Sequence, residues 1–248
     1  MARLPRKHSI NGFYHIVTRG VGKMIIFEDD MDYRKYISLL FRFTDECGIN
    51  IIAYCLMDNH VHLLLEDKED NLSLFMKKVQ VAYSYYFNAK YQRVGHLFQG
   101  RFVSVCIEDT ISFMNVYRYI INNPVKAFSC GYDKYPWSSY RDYQSPSPKT
   151  EVSLIKDLFP DHQTLNSFLD ASYEGDELIF ENEKLFAREG AARQIISELI
   201  DSFNGRSFGD LNKRERDHTI KMLKDNGFSV REIERLTGIG RGVIQRIG

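Results

Sequence analysis

Two short apolar runs, residues 51–56 (IIAYCL) and 60–65 (HVHLLL), flank Met57-Asp58-Asn59, and this stretch constrains the fold more than any other. Each run has strand length, and Asp-Asn between them favours a tight turn, so strand, turn, strand is the reading. An isolated hairpin is marginal in water and needs further strands or a packed helix. The flanking sequence supplies both. Residues 12–20 (GFYHIVTRG) alternate between two glycines and predict a strand. Residues 31–43 repeat apolar positions at helical spacing, after the acidic run Glu28-Asp29-Asp30 that suits a helix N-terminus. Residues 72–90 predict a long helix beginning near Asn71 or Ser73, and residues 101–108 another strand. A helix capped by Asp109 or Thr110 should run through Tyr119 and end before Pro124, because proline disfavours the helical region in the residue before it. The order β-α-β-β-α-β-α specifies an α+β fold: a ferredoxin-like antiparallel sheet with helices on one face and one added helix.

The net charge of zero conceals an uneven distribution. Residues 1–143 carry 18 basic and 15 acidic side chains, residues 144–205 carry 5 and 12, and residues 206–248 carry 10 and 6. Two basic blocks flank an acidic segment, a pattern compatible with nucleic-acid contact at either end. The same boundaries divide the chain into a domain over 1–143, an acidic helical connecting region over 144–205 and a small module over 206–248. The QSPSPK run at 144–149 marks the first edge. No run approaches the length of a membrane helix and the basic start is followed by polar residues, so no membrane partner and a cytoplasmic location are expected. Cys47, Cys55, Cys106 and Cys130 contain no CxxC pair, which excludes a zinc ribbon and leaves reduced thiols as the reading.

The chemistry concentrates at His60-Val61-His62. Residues i and i+2 of a strand share a face, so the two imidazoles project together and suit a divalent ion. The alternative is a pair of half-exposed surface histidines. Tyr119 and Asn123, four residues apart on a helix, also share a face. Asn123 offers an amide oxygen as a third ligand, with Mg²⁺ or Mn²⁺ as the candidate ions, and Tyr119 a phenol to an adjacent phosphate. Tyr119 as a core-edge aromatic and Asn123 as a helix C-cap is the structural alternative.

Together, residues 53–65 (AYCLMDNHVHLLL), 96–101 (HLFQGR), 117–127 (YRYIINNPVKA) and 136–140 (PWSSY) resemble the single-tyrosine transposases of the HUH nuclease superfamily, of the small insertion-sequence type. The branch they resemble most is the REP-associated tyrosine transposases. The resemblance covers about residues 8–143. It implies the ferredoxin-like sheet, a histidine pair at His60 and His62, a nucleophile at Tyr119 and a third metal ligand at Asn123. It also implies cleavage of one strand of single-stranded or hairpin DNA, a 5′-phosphotyrosine bond, a free 3′-OH and rejoining without ATP. Asp58 departs from the pattern, which commonly has proline there, and this bears on the metal preference. Monomer and homodimer both fit the resemblance.

Arg19 and Arg101 sit at strand edges beside glycines, where a guanidinium could grip phosphate; solvated strand-end arginines are the alternative. Tyr14, Tyr54, Tyr83, Tyr85, Tyr86, Tyr91 and Tyr117 compete with Tyr119 but read as packing residues. No special role is read for His15 or His96. In the last segment, Ser229 and Glu232 fit a capping box, Gly238-Ile239-Gly240 a turn, and residues 241–247 a following helix. This is a helix-turn-helix pattern with Arg241, Gln245 and Arg246 as groove-facing candidates, against a small helical bundle for protein contacts. Two other classes compete with the enzyme: a domesticated DNA-binding regulator with little or no cleavage, and an RNA-binding module, whose aromatic strand pattern is missing.

Overall fold

The computed structural model describes residues 7–146, 148–171, 211–225, 228 and 230–247. The chain divides into two compact units, Met1–Ile179 and Phe180–Gly248. In the first unit the strands β1 (Phe13–Arg19), β2 (Ile49–Leu56), β3 (His60–Asp67) and β4 (Val103–Ile107) form one antiparallel sheet in the order β2-β3-β1-β4. With helices α1 (Asp30–Cys47) and α2 (Leu72–Lys90) as crossovers, this is the ferredoxin-like arrangement; α3 (Thr110–Phe128) follows β4.

Strand alternation sorts the side chains into two cores. Tyr14, Ile16, Val61, Leu63 and Leu65 pack with Tyr36 and Leu40 of α1 and with Phe75 and Val79 of α2. Ala53, Cys55 and Leu64 point the other way and pack with Val116, Ile120 and Ile121 of α3. The expectation of helices on one face thus holds for α1 and α2, while the added helix covers the opposite face. The physical reason is visible in β2 and β3, whose apolar runs have no polar face to leave in water. The register shift between Ile51 and Ala53 is a bulge that turns both Ile52 and Ala53 toward the α3 core. The outer edge of β2 is closed by the PWSSY segment. The Leu56 N–H donates to Trp137 O at 2.9 Å, and the Tyr54 N–H donates to Ser139 Oγ at 2.9 Å.

Asp29 caps α1 in a capping box with Asp32. Asp32 is fully buried and accepts from Lys90 Nζ, Tyr91 Oη, Tyr86 Oη and the Glu28 N–H, tying α1 to α2. Burial alone would raise its pKa, but these bonds hold the carboxyl below its ordinary value. A depressed carboxylate stabilises the fold above the unfolded-state pKa and ceases to do so as pH falls through the folded-state value. Asp32→Ala is therefore expected to cost about 3 kcal/mol in urea unfolding at pH 7, with the deficit shrinking below roughly pH 4. A deficit independent of pH would point to lost packing instead.

The structure corrects the end of α3. The helix does not stop before Pro124 but runs to Phe128 and is capped by Ser129 in the left-handed region. Pro124 removes one backbone bond, at a cost of about 3 kcal/mol. Its ring is buried, so packing offsets the loss; the Asn123 side-chain amide donates to Tyr119 O at 3.2 Å. Asn123 is consequently not a C-cap. Beyond the sheet, α4 (Ser153–Leu158) and α5 (His162–Asp170) bury Ile155, Leu165 and Leu169 in the α3 core. Asn122 Nδ2 donates to Leu169 O at 2.8 Å, and the Arg118 guanidinium lies 3.7 Å from the Phe168 ring centroid.

The second unit contains α6 (Lys213–Asp225), α7 (Val230–Thr237) and α8 (Arg241–Arg246) around Ile220, Leu223, Phe228, Ile233 and Ile244. Gly238, at φ +74°, begins the turn between the last two helices. The capping box read at Ser229 and Glu232 depends on Ser229, which lies outside the described residues, as does the stretch 172–205 of the acidic region. All four cysteines are free thiols. Among the described residues no helix is long and apolar enough to cross a membrane.

Candidate active site

The site lies on the α3 side of the sheet. Antiparallel pairing sets Arg19 opposite His60, Val17 opposite His62 and His15 opposite Leu64, so the odd-numbered residues of β1 and the even-numbered residues of β3 share that face. His62 is 3% exposed, and its ring centroid lies 4.8 Å from that of His60 with the planes nearly perpendicular. Tyr119 descends from α3 onto the same spot, its ring edge-on to His62 at 5.3 Å and to His15 at 5.9 Å. One helical turn on, Asn123 is buried, with its side chain beside His60. Lys126 brings its ammonium 5.1 Å from the Tyr119 ring centroid.

The electrostatics favour neutral imidazoles. Burial, then the neighbouring Arg19 charge, pushes His60 down to about 4, opposed by the Asn123 amide as an acceptor for the imidazole. Burial likewise lowers His15 to about 4 and holds His62 well below the ordinary value, with the other histidines and Arg19 adding to the effect on His62. A neutral imidazole keeps a lone pair, which is the form that binds a cation. His62 Nε2 is buried without a hydrogen-bond partner among the described residues. Such an atom costs free energy unless something occupies its lone pair, so the donor set fits a divalent ion. Among the described residues no three His, Cys, Asp or Glu side chains gather into a metal site, and the set consists of two imidazoles and one amide.

The structure brings together His60, His62, Asn123 and Tyr119, with Arg19 at the adjacent strand end. The HLFQGR segment joins that end through the Gly20–Phe98 bridge and a 2.9 Å bond from the Val21 N–H to Leu97 O. Arg101, at its close, is exposed. Arg241, Gln245 and Arg246 belong to the second unit; Arg241 pairs with Glu234 at 2.7 Å, and Gln245 and Arg246 are exposed. The competing tyrosines are placed elsewhere. Tyr83 donates to Ile26 O, Tyr86 and Tyr91 donate to Asp32, and Tyr14 and Tyr54 pack on the other side of the sheet. Tyr85 is 81% exposed, and Tyr117 is buried in the α3 core.

Three neighbours were not singled out from sequence: His15, Asn59 and Lys126. Asn59 Oδ1 lies 2.7 Å from His60 Nδ1, and its Nδ2 donates to Lys23 O. The alternation of residues 12–20 carries a signal for His15, because it shares a face with Val17 and Arg19. Lys126 lies seven residues after Tyr119, two helical turns along one face.

Residues 8–123 match the family model described as "Transposase IS200 like". No curated protein matches the sequence. Among solved structures, a REP-associated tyrosine transposase bound to a REP hairpin shares 17% identity, with 61% of this chain and 91% of that chain covered and a TM-score of 0.47. A protein from Deinococcus radiodurans assigned as a transposase shares 16% identity, with 49% and 97% covered and a TM-score of 0.35.

Proposed function

We propose that the chain, whose residues 8–123 match the IS200-like transposase family model, cleaves and rejoins single-stranded DNA near hairpins, with Tyr119 as nucleophile. The observation that carries this reading is the juxtaposition of the Tyr119 ring with the buried His62 Nε2, which has no hydrogen-bond partner among the described residues. His60, His62 and Asn123 would hold the ion. Mg²⁺ or Mn²⁺ there would supply a Lewis acid that polarises the scissile phosphate.

Tyr119 acts by attack of its phenolic oxygen on the scissile phosphorus. The P–O3′ bond breaks, the phenol proton passes to water, and the departing 3′ oxygen gains a proton to become a free hydroxyl. The new 5′-phosphotyrosine ester retains the phosphodiester count, so a second 3′-OH can attack it, release Tyr119 and rejoin strands without ATP. A phenol is a weak nucleophile, and Lys126 beside the Tyr119 ring and Arg19 at the strand end would offset the charge that develops on the phosphate. Incubating the protein with single-stranded hairpin DNA and Mn²⁺ should give a covalent protein–DNA band on a denaturing gel. EDTA should remove it. A band of equal intensity in EDTA would refute the metal requirement.

The second unit would add affinity for duplex or hairpin DNA through α8. Arg241 is already paired with Glu234, so Arg246 and Gln245 are the stronger candidates. Arg246→Ala is expected to weaken duplex binding and to lower the salt dependence by about one counterion, whereas Arg241→Ala should change it less. Equal slopes for wild type and Arg246→Ala, measured by fluorescence anisotropy across a salt series, would remove this contact.

A further inference from the structure

His15 takes no part in the chemistry above, yet its Nε2 lies 3.2 Å from His62 Nδ1, and both rings are almost wholly buried. The rings are stacked, with centroids 5.4 Å apart and planes 20° from parallel. The contact follows from strand register. Val17 stands opposite His62 and His15 opposite Leu64, so His15 and His62 are diagonal neighbours on one face. The other His62 nitrogen, Nε2, has no hydrogen-bond partner among the described residues.

A close contact between two ring nitrogens holds one proton, because two would repel and none would leave two lone pairs facing each other. His62 can present a lone pair at Nε2 only when its own proton sits on Nδ1. In that case His62 Nδ1–H donates and His15 Nε2 accepts. The reverse arrangement places an N–H at His62 Nε2 and closes it to a cation. His60 has an acceptor in the same sense: Asn59 Oδ1 lies 2.7 Å from its Nδ1, and a proton held there puts the lone pair on Nε2.

We propose that His15 is a positioning residue: it accepts the Nδ1 proton of His62 and so aims the Nε2 lone pair at the divalent ion shared with His60 and Asn123. The proposal rests on the reading of those three residues as ligands. It extends the metal-binding machinery from the HVH strand to β1. Partners of this kind fix both ring orientation and tautomer, and losing one typically weakens metal binding by about 10–100-fold.

The test is a Mn²⁺ titration of the full-length, DNA-free protein, followed by the electron paramagnetic resonance signal of free Mn²⁺. His15→Phe keeps a ring but has no acceptor, and should weaken binding by about 10–100-fold. His15→Gln places a carboxamide oxygen near the former Nε2 and should recover most of the affinity. Unchanged affinity in a folded His15→Phe, while binding still requires His60 and His62, overturns the role of His15 alone. No Mn²⁺ binding by wild type, or binding that survives alanine at both His60 and His62, overturns the ligand reading and this inference with it. If His15→Phe does not fold, long-range ¹H–¹⁵N spectra of the wild-type protein with Mg²⁺ decide the matter. A proton on His62 Nδ1 supports the proposal, and one on Nε2 overturns it.

Discussion

Tyr119→Phe is expected to abolish the covalent protein–DNA adduct and to lower strand cleavage by roughly 10⁴-fold or more, as removal of a nucleophile does when no other group can replace it. The substitution removes one oxygen and keeps the ring, so the edge-on contacts with His62 and His15 should persist and the fold should be undisturbed. Replacement by a neighbouring tyrosine is sterically remote. Tyr117 is enclosed in the α3 core, and Tyr83, Tyr86 and Tyr91 bond on the other side of the sheet. Quantifying labelled DNA that migrates with the protein in wild type and Tyr119→Phe checks this. An adduct of undiminished yield in the variant would move the nucleophile elsewhere.

The second large effect concerns the histidine pair. His60→Ala should reduce Mn²⁺-stimulated cleavage on the order of 10³-fold, because the charge developing on the phosphate loses its counter-ion. His60 lies at the strand end and is partly exposed, so its removal should cost little stability. His62 is buried, and His62→Ala should lower stability as well as activity, through a cavity and the His15 nitrogen left without its partner. Thermal melts run beside single-turnover cleavage separate the two. Near-native melting with lost cleavage in His60→Ala is the expected signature, and near-native cleavage in that variant would exclude it as a ligand.

Much of this architecture was legible in the sequence because its signals are local. The helix expected over residues 72–90 is α2, unbroken by Gly or Pro, and the runs around Met57-Asp58-Asn59 are β2 and β3. HVH placed two imidazoles on one face by strand period alone. What escaped depends on tertiary context. Pro124 argued for a helix end, yet burial of its ring carries α3 onward. The opposite-face position of α3 follows from apolar runs that can be read equally as one-sided or two-sided. His15 gained meaning only when register set it diagonal to His62, a relation between strands far apart in the chain. The packing of α4 and α5 against α3 was masked by acidic surface residues that surround Ile155, Phe159, Leu165 and Leu169.

The most direct test of the account is the location of the covalent bond. Protein trapped with single-stranded hairpin DNA and Mn²⁺, digested with nuclease and protease, can be mapped by mass spectrometry. The account predicts a nucleotide 5′-phosphate attached to the peptide containing Tyr119, at Tyr119 itself. Attachment at any other residue would contradict the assignment of the nucleophile and, with it, the mechanism built around this site.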